Sequence, residues 1–283
     1  MARTLDIACL QTRPMATMAE AIDEAIPMAK EAVDTGADML FLPEYCGGLA
    51  TDGPRVVPPS AREDRHEVLA ALRDFAKQHR VWVNIGSIAV DAPDGKIINR
   101  GYMIDAAGEI FGHYDKIHLF DVALDEGHVY RESDCVQPGS VAANFETPLG
   151  SIGHVICYDL RFPGLFRDLA RAGAEVLACP AAFTRTTGEA HWHVLNRARA
   201  IENTCFVVSA CAVGPVAGGG ESYGHSLIVD PWGVVLADGG TAPGVVHASL
   251  DLDLVGATSA RIPSLNHGRD YTISTFRQKK DVA

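Results

Sequence analysis

Short apolar runs alternate with segments of helical periodicity along most of this chain, and this alternation restricts the folds that it can adopt. The apolar runs predict strands and the periodic segments predict helices, in the order 6–11 (strand), 16–35 (helix), 38–42 (strand), 63–80 (helix), 81–87 (strand), 151–157 (strand), 164–172 (helix), 176–180 (strand) and 190–203 (helix). Strands that alternate with helices form a layered α/β fold, because each helix packs its apolar face against a sheet.

The remaining apolar runs follow one another through turns. They predict a hairpin of 98–105 and 109–113, a short helix after Leu252, and strands at 205–213, 222–230, 233–237 and 245–251. Strands joined by turns run antiparallel, so we expect mixed sheets. The sequence contains no internal repeat, low-complexity segment or linker, which predicts a single domain that spans residues 1–283.

The charge balance argues against two classes of partner. The 283 residues carry a formal net charge of −12 at neutral pH, whereas nucleic acids and anionic membranes attract clustered lysine and arginine. No apolar stretch reaches the roughly 20 residues of a membrane span. The N-terminal sequence MARTLDIACLQTRP has too short an apolar run for a signal peptide. We therefore expect a cytoplasmic protein that binds neither nucleic acid nor membrane.

Seven cysteines, none of them in a C-x-x-C pair, predict neither a disulfide framework nor a zinc ribbon. Cys157 stands out because it ends an apolar run in GHVICYDLRFP (153–163), and a turn into a helix follows. A side chain at such a strand end can be presented as a nucleophile, with the next backbone N–H groups free to bind an oxyanion. The alternative interpretation is a buried thiol, as expected for the cysteines inside apolar runs: Cys9, Cys179, Cys205 and Cys211.

A nucleophilic cysteine needs a base and a group that stabilises charge. His154 is a poor base for Cys157, because odd spacing in a strand places two side chains on opposite faces. Glu44 ends the apolar run of FLPEYCGG (41–48) and is either a general base or a solvated loop residue. Lys116 stands among apolar residues in HYDKIHLF and is either a surface lysine or a fixed cation beside the reacting atoms.

These motifs together resemble the carbon–nitrogen hydrolase family, also called the nitrilase superfamily. The similarity covers almost the whole chain and rests on LPEY, YDKIHLF, ICYDLRFP, AHWHVLNRARAIEN, YGHSLIVDPWG and RIPSLNHGRDY. The resemblance implies a four-layer αββα sandwich of two mixed sheets, with Glu44, Lys116 and Cys157 as a Glu–Lys–Cys triad. It also implies a second glutamate, Glu132. The preceding loop DVALDEGH (121–128), which borders the pocket in such folds, lacks the Pro-Gly turn of close relatives.

Within that family, the sequence is most similar to the branch of omega-amidase and deaminated glutathione amidase. The resemblance implies a cysteine-dependent amidohydrolase that forms a thioester, releases ammonia from a small carboxylate-bearing amide, and needs no cofactor or metal. N-carbamoyl compounds, aliphatic amides and nitriles remain alternative substrates. A histidine-dependent metal amidase and a non-catalytic binding protein are alternatives from other classes. Relatives form dimers or larger assemblies, so we expect a homodimer in which a C-terminal extension, about 262–283, makes contacts.

Four residues are candidates for binding the substrate. The backbone N–H of Tyr158 is expected to stabilise the oxyanion together with the lysine. Arg161 is interpreted either as a bidentate ligand for a substrate carboxylate or as the ion-pair partner of Asp159. Tyr45 and Phe183 either form walls of the pocket or belong to the core.

His191 and His193 flank Trp192 in a predicted helix and raise the question of a metal. A spacing of two residues does not share a helical face. No third ligand is evident, so the sequence predicts no metal site.

Overall fold

The computed structural model describes residues 3–125 and 128–277. Its α-helices are α1 Met18–Asp34, α2 Glu67–His79, α3 Pro163–Arg171, α4 Arg185–Asn203 and α5 Asp253–Arg261. The main strands are β1 Thr4–Gln11, β2 Met39–Phe41, β3 Trp82–Asp91, β4 Ile97–Ile104, β5 Ile110–Asp115, β6 Ala143–Thr147, β7 Gly150–His154, β8 Val176–Ala178, β9 Phe206–Ser209, β10 Leu227–Val229, β11 Val235–Asp238 and β12 Gly244–Asp251. Shorter elements are the strands Thr51–Asp52, Arg55–Val56, Ser60–Ala61, Asp121–Asp125, His128–Arg131, Val213–Pro215 and Glu221–Tyr223, and the 3₁₀ helices Glu63–Arg65, Glu132–Asp134 and Cys157–Arg161.

The main strands form two mixed sheets with the same succession of strand directions. The first sheet has the order β12-β1-β2-β3-β4-β5, and Ser60–Ala61 pairs with β3 beside it. The second sheet has the order β6-β7-β8-β9-β10-β11. In each order the first pair is antiparallel, the next two are parallel and the last two are antiparallel. One topology therefore occurs twice, although the sequence shows no repeat.

Three apolar layers hold these elements together. Helices α1 and α2 pack on the first sheet through side chains that include Ala25, Leu40, Leu72, Phe75 and Val83. Helices α3 and α4 pack on the second sheet through side chains that include Phe166, Leu177, Trp192 and Val207. The sheets face each other across a third cluster that includes Phe41, Met103, Ile152, Phe206 and Ile228. This helix–sheet–sheet–helix stacking confirms the predicted four-layer sandwich.

Most of the predicted elements are confirmed in place, but several boundaries differ and two predicted strands are divided. The predicted strand 222–230 is two strands, Glu221–Tyr223 and Leu227–Val229, because Gly224 and His225 between them have positive φ angles of 75° and 52°. Helix α4 begins at Arg185 rather than at residue 190, because its first turn, RTTGE, lacks the apolar spacing that marks a helix in sequence. The predicted strand 205–213 is divided: β9 ends at Ser209, and the N–H of Ala212 donates to Ala181 instead. No helix within residues 3–125 and 128–277 is long and apolar enough to cross a membrane.

Candidate active site

The site lies where strands of the two sheets end. Glu44 follows β2 through Leu42 and Pro43, and Lys116 directly follows β5 in the same sheet. Cys157 comes shortly after β7 of the other sheet, and Glu132 opens its own 3₁₀ helix. All four side chains line one pocket. The four residues that sequence and resemblance single out as catalytic are therefore brought together from distant parts of the chain.

Lys116 is the centre of a buried charge cluster. Its Nζ lies 2.8 Å from Glu44 Oε1 and 2.9 Å from Glu132 Oε2. The three side chains are only 2–4% exposed. Burial disfavours the ammonium, but the charges of Glu132 and Glu44 outweigh burial and raise the pKa of Lys116 well above its usual value. The lysine is thus a permanent cation between two carboxylates, and a buried cation without them would be costly.

Glu44 is held in place by two further donors. Its Oε1 accepts a hydrogen bond of 2.9 Å from Asn99 Nδ2, and its Oε2 accepts one of 2.9 Å from the backbone N–H of Ala182. Asn99 lies in β4 and is fully buried. Neither donor is predicted from the sequence. The sequence does not show which acceptor a strand asparagine will bind. A backbone N–H is present at every residue except proline, so it does not stand out in the sequence.

Glu132 is fixed by a separate set of donors. The backbone N–H of Phe120 donates to Oε2 at 2.6 Å, and the hydroxyl of Tyr45 donates to Oε1 at 3.2 Å. Asn99 Nδ2 also lies 3.3 Å from Glu132 Oε1, so it joins the two carboxylates. Hydrogen bonds to charged acceptors are stronger than neutral ones. The geometry of the cluster is therefore set before any substrate arrives.

Cys157 occupies a strained position. Its φ of 49° lies in the left-handed region, which non-glycine residues seldom adopt outside sites where structure imposes it. Its own N–H donates to the carbonyl of Pro180 at 2.8 Å, which holds the turn. The N–H of Tyr158 donates to no acceptor within the described parts of the chain. This free donor, immediately after the thiol, is the kind of group that binds an oxyanion.

The thiol of Cys157 is held in its neutral form. Burial raises the pKa of Cys157 well above its usual value, and the charge of Glu44 raises it further. The ammonium of Lys116 acts in the opposite direction but does not outweigh them. Because a thiolate is the effective nucleophile, the thiol proton must leave during attack. Glu44 is the nearby carboxylate that can accept it.

His154 is not the base, in agreement with its spacing from Cys157. It is fully buried between the sheets, where its Nδ1 lies 3.0 Å from Asn84 Nδ2 and its Nε2 lies 3.1 Å from the Gly86 carbonyl. Burial lowers the pKa of His154 to about 4. A neutral ring therefore accepts from the asparagine, donates to the carbonyl and links one sheet to the other.

The predicted binding residues divide into two groups. Tyr45, Tyr158 and Phe183 line the pocket. Arg161 does not: its guanidinium lies 5.6 Å from the Phe183 ring centre, and its Nη2 lies 3.3 Å from His191 Nδ1. The structure also shows no Arg161–Asp159 ion pair within the described residues.

The carboxylate of Asp159 contacts other residues instead of Arg161. Tyr114 donates its hydroxyl proton to Asp159 Oδ2 at 2.7 Å, and His118 Nδ1 lies 2.7 Å from Oδ1. The predicted ion pair of Arg161 with Asp159 is therefore absent among the described residues, whereas the role of Arg161 as a ligand for a substrate carboxylate stays a prediction.

Two surface hairpins form the mouth of the pocket. Their contribution to the site is not predicted from the sequence. Thr51 and Val56 come from one hairpin, and Gly219, Gly220 and Glu221 come from the turn and strand of the other. The hairpins touch through the N–H of Thr51, which donates to the carbonyl of Ala217 at 2.8 Å. The Ala-Gly-Gly-Gly segment, residues 217–220, is thus part of the pocket rim.

Gly218 in that rim occupies a position that only glycine can adopt. It has a φ of +87°, and a Cβ at this position would lie 1.8 Å from the Thr51 carbonyl oxygen. Only glycine permits this close approach. The pocket lining within the described residues includes no histidine, so a histidine-bound catalytic metal has no ligand set there. Of the loop 121–128, residues 126 and 127 lie outside the described residues.

Comparison with known proteins agrees with this geometry. The family model of carbon–nitrogen hydrolases matches residues 6–260. Deaminated glutathione amidase of Synechocystis is 37% identical over 264 residues, which cover 92% of this chain and 96% of that protein. Deaminated glutathione amidase of Yersinia enterocolitica is 41% identical over 202 residues, 70% of each protein. The crystal structure of the C. elegans NitFhit protein superposes with a TM-score of 0.86 at 32% identity, over 95% of this chain and 66% of that one. The chain therefore belongs to the carbon–nitrogen hydrolase family and is a hydrolase of carbon–nitrogen bonds other than peptide bonds.

Proposed function

We propose that this protein hydrolyses the terminal amide of a small carboxylate-bearing substrate, of the deaminated glutathione or 2-oxo amide type, through a thioester on Cys157. The observation that carries the proposal is the buried Glu44–Lys116–Glu132 cluster in the same pocket as the strained Cys157. A binding protein has no need of a nucleophile, a base and a cation in one pocket. An amide hydrolase needs all three.

In the first half of the proposed reaction, Glu44 takes the thiol proton while the sulfur of Cys157 attacks the amide carbon. The carbonyl oxygen becomes an oxyanion between the Lys116 ammonium and the N–H of Tyr158. The protonated Glu44 then gives its proton to the leaving nitrogen. The C–N bond breaks, ammonia departs, and the acyl group remains on sulfur.

In the second half, a water molecule gives a proton to Glu44 and attacks the thioester carbon. The same two donors hold the second oxyanion. The C–S bond breaks, the proton on Glu44 returns to sulfur, and the acid product leaves. Glu132 keeps Lys116 and the attacking water in position through its fixed carboxylate. Reactants and products balance as amide plus water giving acid plus ammonia.

The substrate class is supported by the named relatives, since the two amidases above are deaminated glutathione amidases. The pocket walls provide the apolar contacts for such a substrate: Tyr45, Leu49, Val56, Phe120, Tyr130 and Phe183.

One observation favours a second candidate, an aliphatic amide. Among the described lining residues, Lys116 is the one basic side chain, and it already contacts two carboxylates. A substrate carboxylate would therefore have to be bound by hydroxyl and backbone donors, or by Arg161 after a change of rotamer. An uncharged aliphatic amide needs no such donor.

Ammonia release from a panel of compounds tests the proposal. The panel contains deaminated glutathione, 2-oxoglutaramate, N-carbamoyl-β-alanine, propionamide and a simple nitrile. We expect turnover of one of the first two by the wild type, none by Cys157→Ala, and near wild-type turnover by Cys135→Ala, which removes a thiol outside the pocket. Preference for propionamide would support the second candidate. Activity that survives in Cys157→Ala would refute the mechanism.

We also propose that the chain forms a homodimer through its C-terminal extension. The described residues beyond α5, 262–277, contain no helix or strand. They expose large apolar side chains, with Tyr271 84%, Ile273 85% and Phe276 94% exposed in the single chain. Truncation after Gly268 keeps the packing of Leu265 in the core. We expect light scattering to show a dimer for the full chain and a monomer after truncation. An unchanged dimer would place the interface elsewhere.

A cytoplasmic location is proposed as well. All seven cysteines are free thiols, as is usual in a reducing compartment. Fractionation of the native host, with thiol titration of the recovered protein, tests this.

A further inference from the structure

A cluster of two histidines and one aspartate lies outside the pocket lining. His193 comes from α4, His225 precedes β10, and Asp238 ends β11. His193 Nε2 lies 3.0 Å from Asp238 Oδ2, and His225 Nδ1 lies 2.8 Å from Asp238 Oδ1. The three side chains are 22–36% exposed. His193 therefore finds its partners on other elements, and His191 is not one of them.

The three ligand atoms have nearly the spacing that a metal ion requires. All of them lie within 4.8 Å of one another. Tetrahedral zinc with bonds of about 2.0–2.1 Å places neighbouring ligand atoms about 3.3 Å apart. The two nitrogen–oxygen distances, 3.0 Å from His193 Nε2 to Oδ2 and 2.8 Å from His225 Nδ1 to Oδ1, are near this value but end on different oxygens of Asp238. Side-chain rotations would bring both nitrogens to this distance from one carboxylate oxygen and from each other.

We propose that His193, His225 and Asp238 form a binding site for a divalent transition metal, with zinc as the best match. Two imidazoles and one carboxylate are a common ligand set for such ions. Partial exposure leaves room for a water molecule as the fourth ligand. The site is separate from the catalytic pocket and takes no part in amide hydrolysis.

Binding requires a shift of protons and no redox step. A metal ion binds the lone pair of a ring nitrogen, so in the bound state the ring proton of each histidine lies on the other nitrogen, Nδ1 of His193 and Nε2 of His225. Asp238 Oδ2 is the oxygen suited to bind the metal, because the N–H of Gly240 donates to Oδ1 at 2.9 Å. A hydrogen bond of this kind orients a metal-binding carboxylate.

The backbone and ring of His225 are held in place by several contacts. His225 has a φ of 52°, in the left-handed region, and such strain in a non-glycine residue persists only where surrounding contacts impose it. Its N–H donates to the Gly240 carbonyl at 2.7 Å, and its carbonyl accepts the Trp192 Nε1–H at 2.7 Å. Its ring stacks on Tyr223 at 4.6 Å. These contacts fix the imidazole beside Asp238 before any metal binds.

The expected consequence is stability. A bound ion would join α4 to the edge of the second sheet, and a ligand that binds only the folded state raises the unfolding temperature. At a metal concentration about one hundred times the dissociation constant, we expect a rise of about 5 °C for a chain of this size. The turnover number should stay unchanged.

The test uses the full chain, freed of metal with a chelator and then titrated with Zn²⁺ or Co²⁺. Cys157→Ala serves as the background, so that the pocket thiol cannot bind the ion. We expect one equivalent to bind, with visible Co²⁺ absorption and a rise in unfolding temperature. His193→Ala and Asp238→Asn should lose all three signals. His191→Ala, the matched control on the same helix, should keep them.

Two results would overturn the proposal. One is the absence of a Co²⁺ spectrum and of a thermal shift in the background protein. The other is equal binding by His193→Ala and His191→Ala, which would place the ion elsewhere. Activity of the otherwise wild-type chain, measured with and without Zn²⁺ at the same free concentration, separates this site from inhibition at Cys157.

Discussion

Two clusters of ionisable side chains in this molecule are built alike but lie in different environments. Glu44, Lys116 and Glu132 are at most 4% exposed. Asp238 and its two histidines are about a quarter to a third exposed. In both, residues from separate elements meet at strand ends. The comparison indicates that the loss of stability on removing one side chain from a cluster depends on how deeply the cluster is buried, rather than on how many ion pairs it contains.

The physical reason is desolvation. A charge without its partner in the interior costs several kcal/mol, because no water replaces the lost contact. A charge at the surface is screened and rehydrated, so a surface pair contributes about 1 kcal/mol or less. Changes in the pocket cluster should therefore affect both rate and folding, and changes in the surface cluster should have small effects.

The largest effect is expected from Glu44→Gln. The amide keeps the shape of the side chain but cannot accept the thiol proton, and a positioned base contributes about 10²–10⁴-fold. Steady-state ammonia release should fall by that factor. Glu132→Gln, the matched control with the same lysine contact, should fall less. If both variants lose the same factor, the two carboxylates share the role of base.

Lys116→Met should lower both activity and stability. Loss of one oxyanion donor costs about 10²–10³-fold in rate, and two buried carboxylates without their cation cost about 3–5 kcal/mol. Urea unfolding and kcat together measure this. Adding Glu132→Gln to Lys116→Met should restore part of the stability and none of the rate. Full stability in the single variant would mean that water reaches the cluster.

Acid should destabilise the protein through its buried histidines His66 and His154. Burial lowers the pKa of His154 to about 4, against about 6.5 in an unfolded chain. The unfolded state thus binds more protons between these values, and stability falls as pH decreases from about 6.5 towards 4. For one such histidine the loss between pH 7.5 and 5 is about 2 kcal/mol.

The variant His154→Gln separates this contribution. It should show a smaller change in unfolding free energy between pH 7.5 and 5, whatever its stability at pH 7.5. His66, whose pKa burial also lowers to about 4, remains and supplies part of the slope. An unchanged slope in His154→Gln would assign the acid sensitivity to other groups.

Asn99→Ala should have an intermediate effect. It removes the donor that joins Glu44 to Glu132 and costs about 1–3 kcal/mol of stability, as for an unsatisfied buried group. We expect kcat to fall about tenfold with little change in KM, because the base is displaced and the pocket walls are intact. Asn99→Asp adds a third carboxylate and should be worse. A change in KM alone would give Asn99 a role in binding.

The smallest effect is expected from Asp238→Asn in metal-free protein. The carboxylate is partly exposed, so its loss should change the unfolding free energy by no more than about 1 kcal/mol. Activity should be that of the wild type. A loss of several kcal/mol would show that the surface cluster behaves like the buried one and that exposure is a poor guide here.

The sequence by itself determined much of this protein. The resemblance of its motifs to the carbon–nitrogen hydrolase family joined Glu44, Lys116, Cys157 and Glu132 in one site. Alternating apolar and helical patterns predicted the layered fold, and the ends of apolar runs marked Glu44 and Cys157 as candidates. These are local signals, because a strand end and the side chain that follows it are neighbours along the chain.

Only the tertiary structure decided the rest. It placed Arg161 beside His191 and outside the pocket lining, recruited Asn99 and the N–H of Ala182 to Glu44, and brought His193 to Asp238 rather than to His191. It also repeated one order of strand directions in two sheets. Each of these depends on which distant segments pack together. Spacing along the chain carries no signal for a contact between residues that lie 45 or more positions apart, as His193 and Asp238 do.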